Sequence, residues 1–80
     1  MMKLLIRNLA RSTSETALRE QFEAFGRVQS CNLVIDADTG ESKGFGFVAM
    51  PKAGEAKAAM IQLNASELDG SRIRVKKADS

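Results

Sequence analysis

The sequence predicts an α+β domain whose elements follow the order strand, helix, strand, strand, helix, strand. Four segments show the apolar content of strands, two show the apolar spacing of helices, and turn-forming residues separate them. Each half of the chain is a strand, a helix and a returning strand, which is a split β-α-β arrangement. Right-handed crossovers then place both helices on one side of the sheet and leave the other side open.

The first strand and the first helix are predicted within residues 3–26. Residues 3–7 alternate, with Leu4 and Ile6 on one side of the strand. Ser14 is the expected N-cap of the helix, and Gly26 is expected to end it. Apolar residues at i, i+4 and i+7 form the buried stripe of this helix: Leu18, Phe22 and Phe25.

The second and third strands are predicted on either side of a loop. Residues 28–35 are rich in branched apolar residues, which is typical of a strand. Residues 36–41 read Asp-Ala-Asp-Thr-Gly-Glu and form the loop. Residues 45–50 form a third strand that is apolar on both faces, and Pro51 ends it.

The second helix begins at Pro51, and a fourth strand closes the domain. The apolar stripe of this helix recurs every three or four residues: Ala56, Ala59, Met60 and Leu63. Asp69-Gly70 is a turn signal, and residues 72–77 alternate with Ile73 and Val75 inward. We therefore expect one domain over residues 1–80, with its core at 3–78.

Composition limits the possible functions. The chain has 80 residues, a net charge of +2, no histidine and a single cysteine, Cys31. It therefore lacks the commonest general base and the commonest metal ligand, and no internal disulfide can form. No apolar run approaches the roughly 20 residues of a membrane span. We expect a monomeric cytoplasmic protein that uses no metal or cofactor, contacts no membrane and is not an enzyme.

The predicted open face of the sheet combines aromatic rings with cations. Alternation places these residues there: Lys3, Leu5, Arg7, Phe45, Phe47, Ala49, Arg74 and Lys76. Bases of unpaired nucleic acid stack on aromatic rings, and phosphates bind Lys and Arg. The pattern also permits the opposite orientation, with Phe45 and Phe47 in the core, because neither face of that strand is polar.

Two motifs within residues 3–78 resemble the RNA recognition motif family, also called the RNP domain. Residues 43–50 read K-G-F-G-F-V-A-M and fit seven of the eight positions of the family's K/R-G-F/Y-G/A-F-V-x-F/Y octamer, counting the free one. Residues 4–9 read L-L-I-R-N-L and match the family's apolar-aromatic-apolar-x-Asn-Leu hexamer, except at the aromatic. Both motifs lie on the expected strands, and the rings should then face outward.

The resemblance implies a ferredoxin-like sandwich with strand order 4-1-3-2 and a role in binding single-stranded RNA, with weaker binding of single-stranded DNA. Phe47 matches the ring on which a base stacks, Phe45 the ring that packs against sugars, and Lys43 the residue that pairs with phosphate. The implied RNA-binding set is Lys3, Leu5, Arg7, Asn8, Lys43, Phe45, Phe47, Arg74, Lys76 and Lys77. The family's role is in post-transcriptional RNA metabolism.

The chain departs from the family pattern at three points. Leu5 stands where the family usually has a second stacking aromatic, so we expect weaker RNA binding than with three rings. Ala65 replaces a glycine that is common after Leu-Asn, and it is expected to strain or reshape that turn. The residues after the last strand form no Gly/Arg-rich tail, and a domain without one resembles bacterial or organellar members of the family. A nuclear or organellar location is therefore the alternative to the expected cytoplasmic one.

Two other functions remain as alternatives. A protein-binding module on the same fold, with weakened RNA binding, is consistent with the missing aromatic at Leu5. A small hydrolase of the acylphosphatase type shares the ferredoxin-like topology, since fold does not determine function. The sequence shows no arginine-and-glycine phosphate cradle beside an asparagine that would support the hydrolase.

Overall fold

The computed structural model describes residues 1–78. Two helices and six strands follow one another along the chain. They are β1 (Met2–Arg7), α1 (Glu15–Glu23), β2 (Ser30–Ile35), β3 (Ser42–Met50), α2 (Ala53–Leu63), β4 (Glu67–Leu68), β5 (Ser71–Arg72) and β6 (Arg74–Lys77).

Four of the strands form one antiparallel sheet in the order β2-β3-β1-β6, and β4 pairs with β5 in a separate hairpin. The predicted order 4-1-3-2 is confirmed, because β6 takes the place of the fourth predicted strand. The strands that carry the two motifs, β1 and β3, are therefore the central pair of the sheet.

The hydrophobic core lies between the two helices and one face of the sheet. Its fully buried side chains include Phe22, Leu18, Leu4, Ile6, Val48, Met50 and Ile73. The inward residues predicted for the first, third and fourth strands are confirmed, since Leu4, Ile6, Val48, Met50, Ile73 and Val75 are all buried. Burying an apolar side chain of this size contributes about 1.5–3 kcal/mol each, which commits this face of the sheet to the helices.

The boundaries of several elements differ from the sequence-based expectation. Ser14 is the N-cap of α1, as predicted, and its hydroxyl oxygen accepts a hydrogen bond from the Ala17 backbone N–H at 3.0 Å. The helix ends at Glu23 rather than next to Gly26, and α2 begins at Ala53 rather than at Pro51. Phe25 lies beyond the end of α1 but still packs, partly buried, against the core.

The predicted fourth strand is divided in two. Ile73 lies between β5 and β6, and its backbone bonds join it to the turn after α2: its N–H donates to the Ser66 carbonyl at 2.9 Å, and its carbonyl accepts from the Ala65 N–H at 2.8 Å. Asp69 and Gly70, with φ of 51° and 83°, close the β4–β5 hairpin. Two central residues with positive φ are typical of a two-residue hairpin turn, so the Asp-Gly signal predicted the turn correctly while the short strands were missed.

A bulge interrupts the pairing of β2 with β3. Leu33 opposes Gly46, whereas Ile35 opposes Ser42, so β3 carries extra residues at this point. Gly44 adopts a φ of 83°, which a residue without a side chain tolerates well. The strand thus begins at Ser42, three residues earlier than predicted, and Lys43 lies on the bulge.

Neither α1 nor α2, the helices found in residues 1–78, is long and apolar enough to span a membrane.

Replacing Ala65 by glycine is expected to stabilise the domain. Ala65 follows the C-cap Asn64 and adopts a φ of 67°. This is the left-handed conformation that the family's glycine at this position led us to expect. The left-handed conformation costs an alanine about 1–2 kcal/mol, and glycine avoids this cost. Glycine also raises the entropy of the unfolded chain, which offsets about 0.5–1 kcal/mol of the gain. The expected net gain in the free energy of unfolding by urea is about 0.5–1 kcal/mol.

The matched control is Ala58→Gly. Ala58 is exposed within α2, where glycine should cost about 1 kcal/mol. If both variants lose stability to the same extent, the strain assigned to Ala65 is absent.

Candidate nucleic-acid interface

The antiparallel register arranges the residues of the open face in rows across the sheet. Leu5 of β1 opposes Phe47 of β3 and Lys76 of β6, and Phe47 also opposes Asn32 of β2. Directly opposed residues point to the same face, with Cβ atoms about 4.5–5.5 Å apart. Asn32, Phe47, Leu5 and Lys76 therefore form one continuous row, in that order, through the centre of the sheet.

Phe45 and Phe47 lie on the open face, as the family resemblance implied. Both rings are half-buried and stand outside the core, whereas Val48, on the helix side of the same strand, is fully buried. The Nζ of Lys3 lies 4.7 Å from the centroid of the Phe47 ring. A cation at this distance is attracted to the face of the ring, so Lys3 occupies part of the Phe47 surface.

Ala49 was predicted to face solvent, but only 7% of its surface is exposed. It opposes Lys3 on one side and Ser30 on the other, which places it on the open face. Ala49 is therefore part of the floor of this surface and offers little area for contact.

Arg7 and Arg74 oppose each other at the end of the β1–β6 ladder. Beside them lies an open cavity of about 480 Å³. Its walls are formed by Arg7, Asn8, Asn64, Arg74, Val75 and Lys76. Like charges directly opposed on a sheet repel each other, so an anion between them would be favourable.

Arg7 and Asn8 also border a second cavity, of about 290 Å³, at the β3 bulge. Its other walls are formed by Leu9, Arg11, Lys43, Gly44 and Phe45. Lys43 and Phe45 were predicted as site residues, but Arg11 was not. Arg11 lies in the loop after β1, where no strand or helix period indicates the direction of a side chain.

Asn8 and Lys77 differ from the other predicted site residues, the first in its hydrogen bonding and the second in its position. Asn8, at a φ of 60°, donates a hydrogen bond from Nδ2 to the Arg72 carbonyl at 2.7 Å, so part of its amide already ties β1 to β5. Lys77 opposes Leu4, a core residue, and therefore extends from the helix side of the sheet edge. The structure thus brings together all the predicted residues except Lys77.

Asn32 joins the central row although it was not predicted. It lies between Cys31 and Leu33 in β2, and the alternation of one polar residue between two apolar ones was the available signal. The two family motifs lie on β1 and β3 and carry no information about this strand.

The cations of the open face have no carboxylate partners in the described part of the chain. The single ion pair among residues 1–78 joins Arg19 to Glu23 on α1, at 4.0 Å. The same residues contain no group of three or more His, Cys, Asp or Glu that could hold a metal. The surface is therefore positively charged and free to bind anions.

Cys31 takes no part in this surface. It is buried on the helix side of β2, and its Sγ donates to the Glu15 backbone carbonyl at 3.6 Å. Burial, followed by the charge of the Glu15 carboxylate, raises the pKa of the Cys31 thiol from 9.0 to about 11. The thiol is thus protonated at neutral pH and is a poor nucleophile.

Two helices behind an antiparallel sheet, with rings and cations on the free face, define a class of small binding domain. The model of the RNA recognition motif family matches residues 4–74 of the chain. The chain therefore belongs to the RNA recognition motif family.

Known proteins agree with this assignment. The chain is 41% identical over 78 residues to glycine-rich RNA-binding protein 1 of Mycosarcoma maydis, covering 98% of the chain and 45% of that protein. It is 40% identical over 77 residues to the mitochondrial glycine-rich RNA-binding protein 2 of Arabidopsis thaliana, covering 96% and 49%. The chain thus spans about half the length of these curated relatives.

Among solved structures, the crystal structure of RNA-binding protein PG1 superposes with a TM-score of 0.94 and 33% sequence identity. The match covers 98% of this chain and 94% of that one. The fold is therefore shared over nearly the whole length of both molecules.

The stability of the domain is expected to fall as pH rises from about 9 to about 11, in part because of Cys31. The folded thiol, with its pKa raised to about 11, keeps a proton that the unfolded chain releases above about pH 9. Cys31→Ala lacks this contribution. The difference in the free energy of unfolding between the wild type and Cys31→Ala should therefore shrink across this range in urea titrations. A constant difference would mean that the thiol titrates normally in the folded state.

Proposed function

We propose that this chain acts as a single RNA-binding domain, with residues 3–78 as one unit that holds single-stranded RNA on the open face of its sheet. The observation that carries this proposal is the central position of Phe45 and Phe47, surrounded by cations that pair with no carboxylate among residues 1–78. The names of the two relatives and of the solved structure, each an RNA-binding protein, support it.

The rings and the cations of the sheet have different roles in RNA binding. Phe47 offers its ring to a base, and Phe45 packs against the sugar of a neighbouring nucleotide. Leu5, between Phe47 and Lys76 in the register, adds an apolar contact where other members stack a second base. Lys3, Arg7, Lys43, Arg74 and Lys76 neutralise phosphates, which makes the affinity depend on salt.

Lys3 must move for a base to cover the whole Phe47 ring, because its Nζ lies 4.7 Å from the ring centroid. The cation–π contact at this exposed site is worth about 0.5–1 kcal/mol, and a base–aromatic stack about 1–3 kcal/mol. The base stack is therefore the more favourable contact. The displaced Lys3 ammonium is then available to a phosphate of the same RNA molecule.

The cavity beside Arg7 and Arg74 supplies hydrogen-bonding groups for a base edge. Asn64 already uses its Oδ1 to accept from the Val75 N–H at 3.0 Å, so its NH₂ group remains available. Two guanidinium groups and the amides of Asn8 and Asn64 surround this space. We propose that sequence preference arises here, while the rings bind any base.

We also propose that the chain works as a monomeric binding domain and not as an enzyme, in post-transcriptional RNA metabolism. The absence of histidine and the burial of Cys31, the one thiol, support the proposal that the domain is not an enzyme. We propose a cytoplasmic location, and the name of the mitochondrial relative supports an organelle as the alternative. The helices offer little support for a protein-binding module, because Ile61 is their one large exposed apolar residue among those described.

Phe47→Ala is expected to weaken binding by roughly 1–3 kcal/mol because it removes the stacking ring. The measurement is fluorescence anisotropy with a labelled pool of short single-stranded RNA of randomised sequence. Since Phe47 lies outside the core, the thermal unfolding transition should persist. The matched control is Ile61→Ala on α2, which should leave the affinity unchanged. Equal affinity of Phe47→Ala and wild type would remove Phe47 from the site, and a loss confined to Ile61→Ala would favour the helices.

Leu5→Tyr is expected to strengthen binding by about 1 kcal/mol, or roughly fivefold, because it restores a stacking ring at the centre of the sheet. Leu5 is half-buried beside Phe47, so the larger ring extends outward without entering the core. The same anisotropy titration tests this, with a single-stranded DNA pool as a second ligand. Weaker RNA binding by Leu5→Tyr would show that a ring at this position obstructs the surface.

A further inference from the structure

We propose that Arg11, together with Arg7 and Lys43, forms a phosphate-binding pocket at the β3 bulge. The inference rests on the proposed function and adds to it a residue outside both family motifs. The pocket is the cavity of about 290 Å³ that these three cations share with Phe45 and the Gly44 backbone.

Three separate segments bring the cations to this pocket. Arg7 ends β1, Arg11 lies in the loop that follows, and Lys43 lies on the bulge of β3. The Leu9 N–H donates to the Gly44 carbonyl at 2.8 Å, which holds the loop against the bulge. Further along, the Thr13 hydroxyl donates to Asp69 Oδ2 at 2.8 Å, so the loop is anchored on both sides of Arg11.

The guanidinium of Arg11 is held in place and still has free donors. Its Nη1 donates to the Ser42 carbonyl at 2.6 Å. A guanidinium carries five N–H donors, so most remain for a ligand. A Cβ at Gly44 would lie 3.2 Å from the Leu9 carbonyl oxygen and 3.5 Å from Arg11 Nε, so the glycine provides the room for this arrangement.

The charge of the pocket lacks compensation from the protein itself. Within residues 1–78 the one ion pair is Arg19–Glu23, which lies on α1 on the opposite side of the sheet. Three cations around one small space repel each other, and a group with negative oxygens would relieve this repulsion. Arginine pairs well with phosphate because its planar donors match two oxygens at once.

The ligand is a phosphate group, and we assign it to the internal phosphodiester next to the nucleotide on Phe45. Phe45 forms part of the wall of the same cavity, so a sugar packed on that ring carries its phosphate towards Arg11. A terminal phosphate of a short RNA would supply the same chemistry. The two sources differ in whether a free 5′ end is needed.

The test compares Arg11→Gln with wild type in anisotropy titrations with the randomised RNA pool at several salt concentrations. Losing one phosphate contact should reduce the slope of log affinity against log salt by about 0.7. At about 50 mM salt the affinity should fall about five- to tenfold, and the loss should vanish near about 1 M. Arg27→Gln is the matched control, because Arg27 is exposed between α1 and β2 and the substitution removes the same charge. It should keep the wild-type slope.

A second variant and a second probe separate the explanations. Arg11→Lys keeps the charge and should keep the slope with a smaller loss of affinity. A variant Arg11→Gln that loses affinity with an unchanged slope would show that Arg11 only supports Ser42, and this would overturn the assignment. Equal losses for 5′-hydroxyl and 5′-phosphate RNA indicate the internal phosphodiester, whereas a loss limited to 5′-phosphate RNA indicates the terminal group. If wild type binds no RNA at all, the proposed function fails as well.

Discussion

The register between β1 and β3 is the interaction on which the rest of the molecule depends. Leu4 opposes Val48 on the helix side, and this pairing requires that Leu5 oppose Phe47 on the open side. A shift by one residue would exchange the two faces and bury the rings. The helices enforce the register, because Leu4 and Val48 are fully buried beneath them.

This constraint explains why one strand can be apolar on both faces without being buried on both. The helices cover one side only, so Phe45 and Phe47 remain half-exposed between neighbouring strands. An exposed apolar patch of this kind, bordered by cations, is typical of an interaction surface. The core and the binding surface are thus two faces of the same strand pair, and neither can change register alone.

The ends of the strands contribute the polar part of the surface. Asn8 and Gly44 have positive φ values where β1 ends and β3 is bulged, and both border the cavity that contains Arg11. These irregular positions turn the chain sharply enough to bring Arg7, Arg11 and Lys43 together. The regular ladder supplies the rings together with Lys3, Arg74 and Lys76, while the irregular positions bring Arg11 and Lys43 beside Arg7.

The sequence by itself determined the order of the elements, the helix side of the sheet and most of the open face. Periods of two and of three to four residues carry that information locally, and Phe47 was placed correctly once the octamer resolved its orientation. Lys77 shares the inward parity of Ile73 and Val75, so the alternation already indicated that it lies away from the open face. The tertiary structure alone decided that Arg11 belongs to the surface and that Ile73 separates two strands. Those outcomes depend on hydrogen bonds and register contacts between segments far apart in the chain, for which no local pattern of residues is a signal.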